Sequence, residues 1–248
     1  MFLDTMNDLK EKQLSCLKSP RKNVFELFKN SDFGIISEIK KASPSKGDIY
    51  PDADIVKIAG EYLENGASVI SVLTETDYFK GSIEDLKSIR RQYPDAVLLR
   101  KDFIIDDIQI YEAKFAGADM ILLILAMTGY EKTLELISTA KSIGLEVLLE
   151  VHSEDEIKQA LTMGTNFIGV NNRNLQTLKV SLDVSRKLSK YITDDKIFVC
   201  ESGLETSAEI AEMNKLGYKG FLIGSHFMTN ENQGEELKKI INGVRNAL

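Results

Sequence analysis

Five apolar runs in this 248-residue chain end in polar or charged residues that fall on one side of the run. Side chains of a strand alternate with period two. Ile36, Glu38 and Lys40 therefore share a face, as do Val97, Leu99, Lys101 and Phe103. The same holds for Leu148, Glu150 and His152, for Phe167, Gly169, Asn171 and Arg173, and for Ile197, Val199 and Glu201. Carboxylates and ammonium groups that face one another at such spacing shift each other's pKa values, which suits general acid–base chemistry. Taken singly, a Lys or Glu at a strand end is most often a solvated rim residue, and Glu75 and Asp119 read that way. Arg100 has the opposite parity from Lys101 and should point to the helices or the rim. His152 and His226 have no evident acid–base partner and read as structural. Cys200, opposite in parity to Glu201, should pack outward and not act as a nucleophile.

A second chemistry is suggested by CESGLET (200–206) and LIGSHFMTN (222–230), two apolar runs that each lead into Ser and Gly. Glycine lets backbone N–H groups approach an anion, and a helix N-terminus favours negative charge. Ser202-Gly203 and Gly224-Ser225 are thus candidates for holding phosphate; the bland alternative is a pair of tight turns.

The elements that must position these residues follow one grammar. Helix-like segments end in Gly66, Gly117, Gly144, Gly164 and Gly217, and a short apolar run begins at once. Glycine just past a helix adopts the left-handed conformation cheaply. Runs of four to eight Ile, Val and Leu are those of strands buried on both faces. IISEI (35–39), AVLLR (96–100) and IFVCE (197–201) complete a set of eight strands. Helical patterns fall between them at 53–65, 106–116, 129–143 and 207–216, and a last one covers 235–248. Strands alternating with helices imply a parallel sheet. Eight units favour a closed (β/α)8 TIM barrel, although spacing alone does not exclude an open sheet; GxGxxG, the usual mark of a dinucleotide-binding sheet, is absent. In such a barrel the active site lies at the C-terminal strand ends, and phosphate often sits after strands seven and eight. The expected architecture is a single α/β domain over 1–248: a phosphate-binding barrel over 35–248 behind a helical extension at 1–34. LDTMNDLKEKQLSCL and VFELFKN read as helices of that extension, serving either as a plug for the barrel base or as a flap near the site. The long KKASPSKG loop after the first strand is a candidate lid.

Composition narrows the classes. Hydrophobic residues make up 43% and the net charge is −7, so a core can form and no basic surface for nucleic acid is expected. Cys16 and Cys200 are the two cysteines and read as reduced thiols in a cytoplasmic protein. With two histidines and no CxxC or HExxH, no metal site is expected. The N-terminal stretch lacks the apolar run of a signal peptide, and no segment approaches membrane-spanning length.

SEIKKASPSKG, SVLTETDYFKGS, LRKDFIID, LLEVHSEDE, IGVNNRNLQT, CESGLET and FLIGSHFM, in this order from residue 37 to residue 228, resemble the successive motifs of the indole-3-glycerol phosphate synthase family. The leading FLD resembles the family's N-terminal extension. The resemblance implies a cytoplasmic lyase of tryptophan biosynthesis, a decarboxylase that uses neither metal nor organic cofactor. Its substrate is a phosphorylated small molecule, 1-(2-carboxyphenylamino)-1-deoxyribulose 5-phosphate. It further implies Lys101 as general acid and Glu150 as general base. Glu38 and Lys40 match the pair that positions substrate and the lysine, with Lys40 also a candidate acid in dehydration or a phosphate contact. Asn171, Glu201 and Ser202 match polar active-site positions, and Arg173 an arginine that orders the region near phosphate. Ser43, Gly203, Gly224 and Ser225 match phosphate-site positions, and Leu73, Phe79, Phe103 and Leu122 the apolar walls around the anthranilate ring. A monomer is expected, with weak association with other tryptophan-pathway enzymes. The chain departs from some relatives in having no Trp and a short stretch before strand one, which bears on the extension and not on the chemistry. Two other readings remain at this point. Phosphoribosylanthranilate isomerase would use Cys and Asp at the ends of strands one and five, where this chain has Glu38/Lys40 and Glu150. A catalytically silent barrel would have lost Lys101 and Glu150.

Overall fold

All five glycines that precede apolar runs have positive φ, from 68° at Gly144 to 103° at Gly217. Gly117 shows why: it caps a helix at φ 96°, its N–H reaching Ala113 O and Lys114 O, a backbone state that a Cβ would strain. Each stop hands the chain to a strand. In the computed structural model, which describes residues 22–248, eight parallel strands form a closed barrel. They are β1 (Gly34–Ile39), β2 (Val69–Leu73), β3 (Leu98–Lys101), β4 (Met120–Ile124), β5 (Glu146–Val151), β6 (Phe167–Asn171), β7 (Ile197–Glu201) and β8 (Gly220–Ile223). Closure is made by β8 on β1, with Gly220 opposite Gly34. The open-sheet alternative is thereby removed.

The helices are α1 (Val24–Lys29), α2 (Ile55–Glu64), α3 (Ile83–Gln92), α4 (Asp107–Ala116), α5 (Leu125–Ser142), α6 (Glu154–Thr162), α7 (Asp183–Leu188), α8 (Ser207–Lys215), α9 (Ser225–Met228) and α10 (Gln233–Ala247). Side chains cap several N-termini at the mouth of the barrel: Ser82, Asp106, Ser153 and Thr206 each accept a first-turn N–H. Such caps stabilise by about 1 kcal/mol each and tie down the far ends of the loops that follow the strands. The fifth helix begins at Leu125, four residues before the expected start, and kinks at Gly129 (φ 70°, ψ 171°).

Strand parity divides the core in two. Ile36, Val69, Val97, Leu99, Met120, Leu122, Leu148, Phe167, Ile197, Val199 and Leu222 fill the barrel interior. The opposite parity, including Ile35, Leu98, Leu149 and Cys200, packs against the helices. Val24 and Phe28 of α1 join the interior cluster, and the Phe28 ring meets Phe167 edge-on at 5.5 Å. A Cβ on Gly34 would lie 2.6 Å from Phe28 Cε1, so glycine admits the plug. VFELFKN is thus a plug; the LDTMNDLKEKQLSCL segment and Cys16 lie outside the described residues. Asp119 belongs to the base as well, accepting from Leu98 N at 2.9 Å and pairing with Arg90. Among the described residues no helix is long and apolar enough to cross a membrane.

Candidate active site

At the opposite end the inward positions turn polar. Glu38, Glu150, Asn171 and Glu201 are buried there. Lys101 Nζ stands 3.6 Å from Glu150 Oε2 and 3.8 Å from Glu201 Oε2. Lys40 Nζ donates to Glu38 Oε1 at 2.7 Å. Arg100 points the other way, as its parity requires, and bonds Thr74, Asp102 and the Gln109 carbonyl behind β3. The Lys101 distances exceed a direct hydrogen bond. Glu150 Oε2 and Glu201 Oε1 have no hydrogen-bond partner among the described residues. Buried carboxylate oxygens without such a partner mark a reactive chamber more than a stabilising network.

Two glycines make room for these carboxylates. A Cβ on Gly169 would sit 2.0 Å from Glu201 Oε1, and one on Gly224 would sit 2.3 Å from Glu38 Oε1. Gly169 was not singled out for a role in the sequence. Gly224, read there as a phosphate position, also gives space to the strand-one glutamate.

The charges are strongly interdependent. Burial opposes ionisation of Glu38, but Lys40 and Lys101 outweigh it and hold the carboxyl below its ordinary range. Burial likewise opposes the Lys101 cation, yet Glu150, Glu201 and Glu38 together raise its pKa, so the ammonium stays protonated. Glu150 is buried too, but Lys101 and His152 pull it down to about 2. Glu201 moves the other way, to about 8, because burial and the charge of Glu150 exceed the help of Lys101. One carboxylate is kept ionised and one protonated, a separation that suits distinct acid and base roles.

His152 corrects its sequence reading. Its Nε2 lies 3.1 Å from Glu150 Oε1 and its Nδ1 3.5 Å from Glu156 Oε2. His226 also has a partner, Glu236 Oε1 at 2.9 Å, which ties α9 to α10. The signal for His152 was present as Glu156 four positions on, in the first turn of the next helix.

The loops after β7, β8 and β1 are spatial neighbours because those strands are adjacent. They carry Ser202 and Gly203, Gly224 and Ser225, and Ser43. Ser202 is left-handed at φ 64° and Gly203 follows at φ 84°. A left-handed non-glycine residue is held only where its surroundings over-determine it. Asn172, not singled out in the sequence, does this. Its Nδ2 donates to Glu201 O at 3.0 Å and Ser202 O at 3.1 Å, while its Oδ1 accepts from Ser185 N at 3.0 Å. Arg173 donates to Leu178 O at 3.1 Å and pairs through its backbone with Val180, against which a Cβ on Gly203 would lie at 2.6 Å. Ser225 opens α9, with Gly224 as its cap. The KKASPSKG loop forms a small hairpin, Ala42–Ser43 against Gly47–Asp48, with Ser43 buried.

On the other side of the mouth, Phe79 and Phe103 face each other at 6.3 Å between ring centroids. The Phe79 loop is shaped by Glu75, whose carboxylate accepts the N–H groups of Asp77, Tyr78 and Phe79 at 2.8 to 2.9 Å. Glu75 is therefore a loop organiser and not a solvated rim residue. Leu73 ends β2 in register with Lys101. Leu122 lies deeper, in register with Leu148. Among the described residues no group of three or more His, Cys, Asp or Glu is arranged to hold a metal ion.

A closed barrel with a buried acid–base cluster at the C-terminal strand ends defines an enzyme of the (β/α)8 class. Solved structures agree on the fold: 3-hexulose-6-phosphate synthase from Salmonella typhimurium superposes with a TM-score of 0.70 over 87% of this chain and 100% of that one, at 15% identity. The chain belongs to the indole-3-glycerol phosphate synthase family, whose model matches residues 4–240. An indole-3-glycerol phosphate synthase of Campylobacter jejuni is 41% identical over 254 residues, covering 97% of this chain and 98% of the relative. One of Dehalococcoides mccartyi is 44% identical over 209 residues, covering 84% and 81%.

Proposed function

We propose that Lys101 and Glu150 are the acid and base with which this chain performs the reaction of its family. That reaction is ring closure, decarboxylation and dehydration of 1-(2-carboxyphenylamino)-1-deoxyribulose 5-phosphate to indole-3-glycerol phosphate, a carboxy-lyase step of tryptophan biosynthesis. The observation that carries the assignment is the place of Lys101 Nζ, within 4 Å of two buried carboxylates at the barrel mouth. In the first step the aromatic carbon bearing the carboxylate attacks the ribulose carbonyl, and Lys101 gives its proton to the oxygen as it becomes an alkoxide. A developing alkoxide is far more basic than an amine, so an ammonium held protonated by its neighbours still transfers its proton. The bond to the carboxylate then breaks, releasing carbon dioxide and returning its electron pair to the ring system. Dehydration expels the hydroxyl from the former carbonyl carbon and removes a proton from the adjacent carbon. Glu150, ionised and buried, is the base for that proton, and Lys40 beside Glu38 is the candidate acid for the departing hydroxyl.

Asn171 and Glu201 line the chamber as polar contacts to the reacting groups. Ser202, Gly203, Gly224, Ser225 and Ser43 hold the phosphate, with Arg173 ordering the loop beside them; Leu73, Phe79, Phe103 and Leu122 wall the aromatic ring. Anchoring phosphate away from the reacting carbon converts binding into orientation. We read the protein as a cytoplasmic monomer of one barrel domain that needs no cofactor and associates weakly with other pathway enzymes. Cys200, a buried free thiol, accords with a reducing compartment.

The test is the rise of indole fluorescence with purified protein. Lys101→Ala should lower kcat by roughly 10²–10⁴-fold and change KM little; kcat near that of the wild type removes Lys101 from the acid role. Activity should be unaffected by EDTA, and loss in EDTA with rescue by a divalent ion overturns the cofactor-free reading.

A further inference from the structure

Glu150 and Glu201 are both fully buried and stand almost equally far from Lys101. Lys101 alone therefore cannot set them apart. His152 can. Its Nε2 touches Glu150 Oε1, the oxygen that does not face Lys101. Its other nitrogen faces Glu156 Oε2, and that same oxygen accepts the His152 backbone N–H at 2.8 Å. Glu156 is itself fixed, because its N–H donates to the capping Ser153 Oγ at 3.3 Å in the first turn of α6. The imidazole is thus clamped between the reactive carboxylate of β5 and a carboxylate anchored on the following helix.

We infer that His152 is a positioning residue of the reaction: as an imidazolium braced by Glu156, it fixes Glu150 in orientation and keeps it ionised. This rests on the reading of Glu150 as the base. The need is electrostatic. Glu150 faces Lys101 of β3, Glu201 of β7, the Glu38–Lys40 pair of β1 and the Asn171 amide of β6. Two of these neighbours are carboxylates, and burial disfavours charge further. Lys101 and then His152 are what oppose these effects, so loss of the imidazolium moves Glu150 toward the protonated form, and a protonated carboxyl is no base. The pair supports itself in return: burial disfavours the cation, but Glu150 and Glu156 outweigh it and raise His152 to about 9. The two ring nitrogens face one carboxylate each at ion-pair distance without forming an aligned hydrogen bond, so the hold on Glu150 is that of charge on charge.

The chain has two histidines, which makes the test direct. The full-length protein is labelled with ¹⁵N-histidine and both rings are followed by NMR from pH 5 to 10, a His226→Gln variant assigning the signals. His152 should remain protonated well past pH 7, and in Glu150→Gln its titration should fall by one pH unit or more, on the order expected for loss of an adjacent opposite charge. Titration of His152 near its ordinary value in the wild type, or titration unmoved by Glu150→Gln, overturns the inference. In turnover assays His152→Gln should lower kcat on the order of tenfold, leave KM within about threefold, and move the acid limb of kcat to higher pH. Glu156→Gln, which still accepts the His152 N–H, should do the same more weakly and keeps the test open if His152→Gln does not fold. An unchanged pH profile in both variants also overturns it. If Glu150→Gln itself turns over at the wild-type rate, the base assignment fails, while the NMR titration still reports the His152–Glu150 pair.

Discussion

Replacing Gly169 by Ala adds one methyl group to a position that touches no substrate in the reaction as drawn, and it should nevertheless be severely inactivating. Gly169 lies in β6 opposite Glu150 on one side and Val199 on the other. Its new Cβ would lie 2.0 Å from Glu201 Oε1, 3.1 Å from Glu201 Cδ and 3.3 Å from Leu148 Cδ1. A normal carbon–oxygen contact is roughly 3.3 Å, so the carboxylate must move by roughly 1.3 Å. Glu201 cannot do so without changing its 3.8 Å relation to Lys101 Nζ. A misplacement of about 1 Å in a catalytic array costs on the order of 100-fold in rate, or about 2.7 kcal/mol. Overpacking should cost roughly 1–3 kcal/mol of stability as well, so kcat by indole fluorescence must be read alongside urea unfolding. Gly164→Ala is the control. It suffers the strain of φ +73°, but its nearest foreign atom is Lys141 Nζ at 3.7 Å, so it should lose stability and keep kcat. The reasoning is refuted if Gly169→Ala keeps kcat within about twofold, or if it lowers kcat by the same factor in a Glu201→Ala background, where no carboxylate remains to be displaced.

Two further outcomes follow from the same geometry. Glu201 is raised above, and Glu150 and Glu38 are lowered below, the ordinary carboxylate value, while His152 is raised. Raised groups lose stability as pH climbs from their unfolded to their folded values, here from about pH 4.5 to about 9; lowered ones lose it as pH falls below about 4.5. Stability in urea should therefore peak near pH 5, and Glu201→Gln should flatten the decline between pH 5 and 8; an unaltered slope would mean that Glu201 does not hold a proton there. Asn172→Ala removes the two donors that hold Ser202 left-handed and should raise KM for substrate and weaken inhibition by inorganic phosphate several-fold, with kcat at saturation affected less. A fall in kcat alone, with phosphate inhibition unchanged, would place Asn172 in folding and not in shaping the phosphate loop.

The barrel and the inward set Glu38, Lys101, Glu150, Asn171 and Glu201 were legible because a strand has period two and a closed barrel gives one parity the interior. What escaped was whatever depends on two elements meeting. Glu156 belongs to a helix, so its hold on His152 crosses a strand–helix junction that no strand parity describes. Asn172 lies off the inward parity, and its value comes from reaching sideways to the end of β7. Gly169 looks like any strand glycine until the carboxylate lying over it is seen. Glu75 reads as a rim residue in sequence because the three N–H groups it gathers are created by the loop it folds. The start of α5 differs from the expected one for a related reason: Gly129 breaks the helix without ending it, so residues 125–128 form their own turn before the kink.

The overall charge of −7 poses a problem for an enzyme whose substrate carries both a carboxylate and a phosphate. Arg173 places one guanidinium nitrogen on the Leu178 carbonyl of its own loop. At the reactive end, Lys40, Lys101 and His152 face Glu38, Glu150, Glu156 and Glu201. Were all four carboxylates ionised, the cluster would carry a net negative charge and would repel a substrate carboxylate. Because burial and Glu150 push Glu201 to about 8, three cations meet three anions at neutral pH, Glu156 being held below its ordinary range. The mouth is thus spared a net negative charge by withholding one from Glu201, and this balance depends on His152 keeping its own charge.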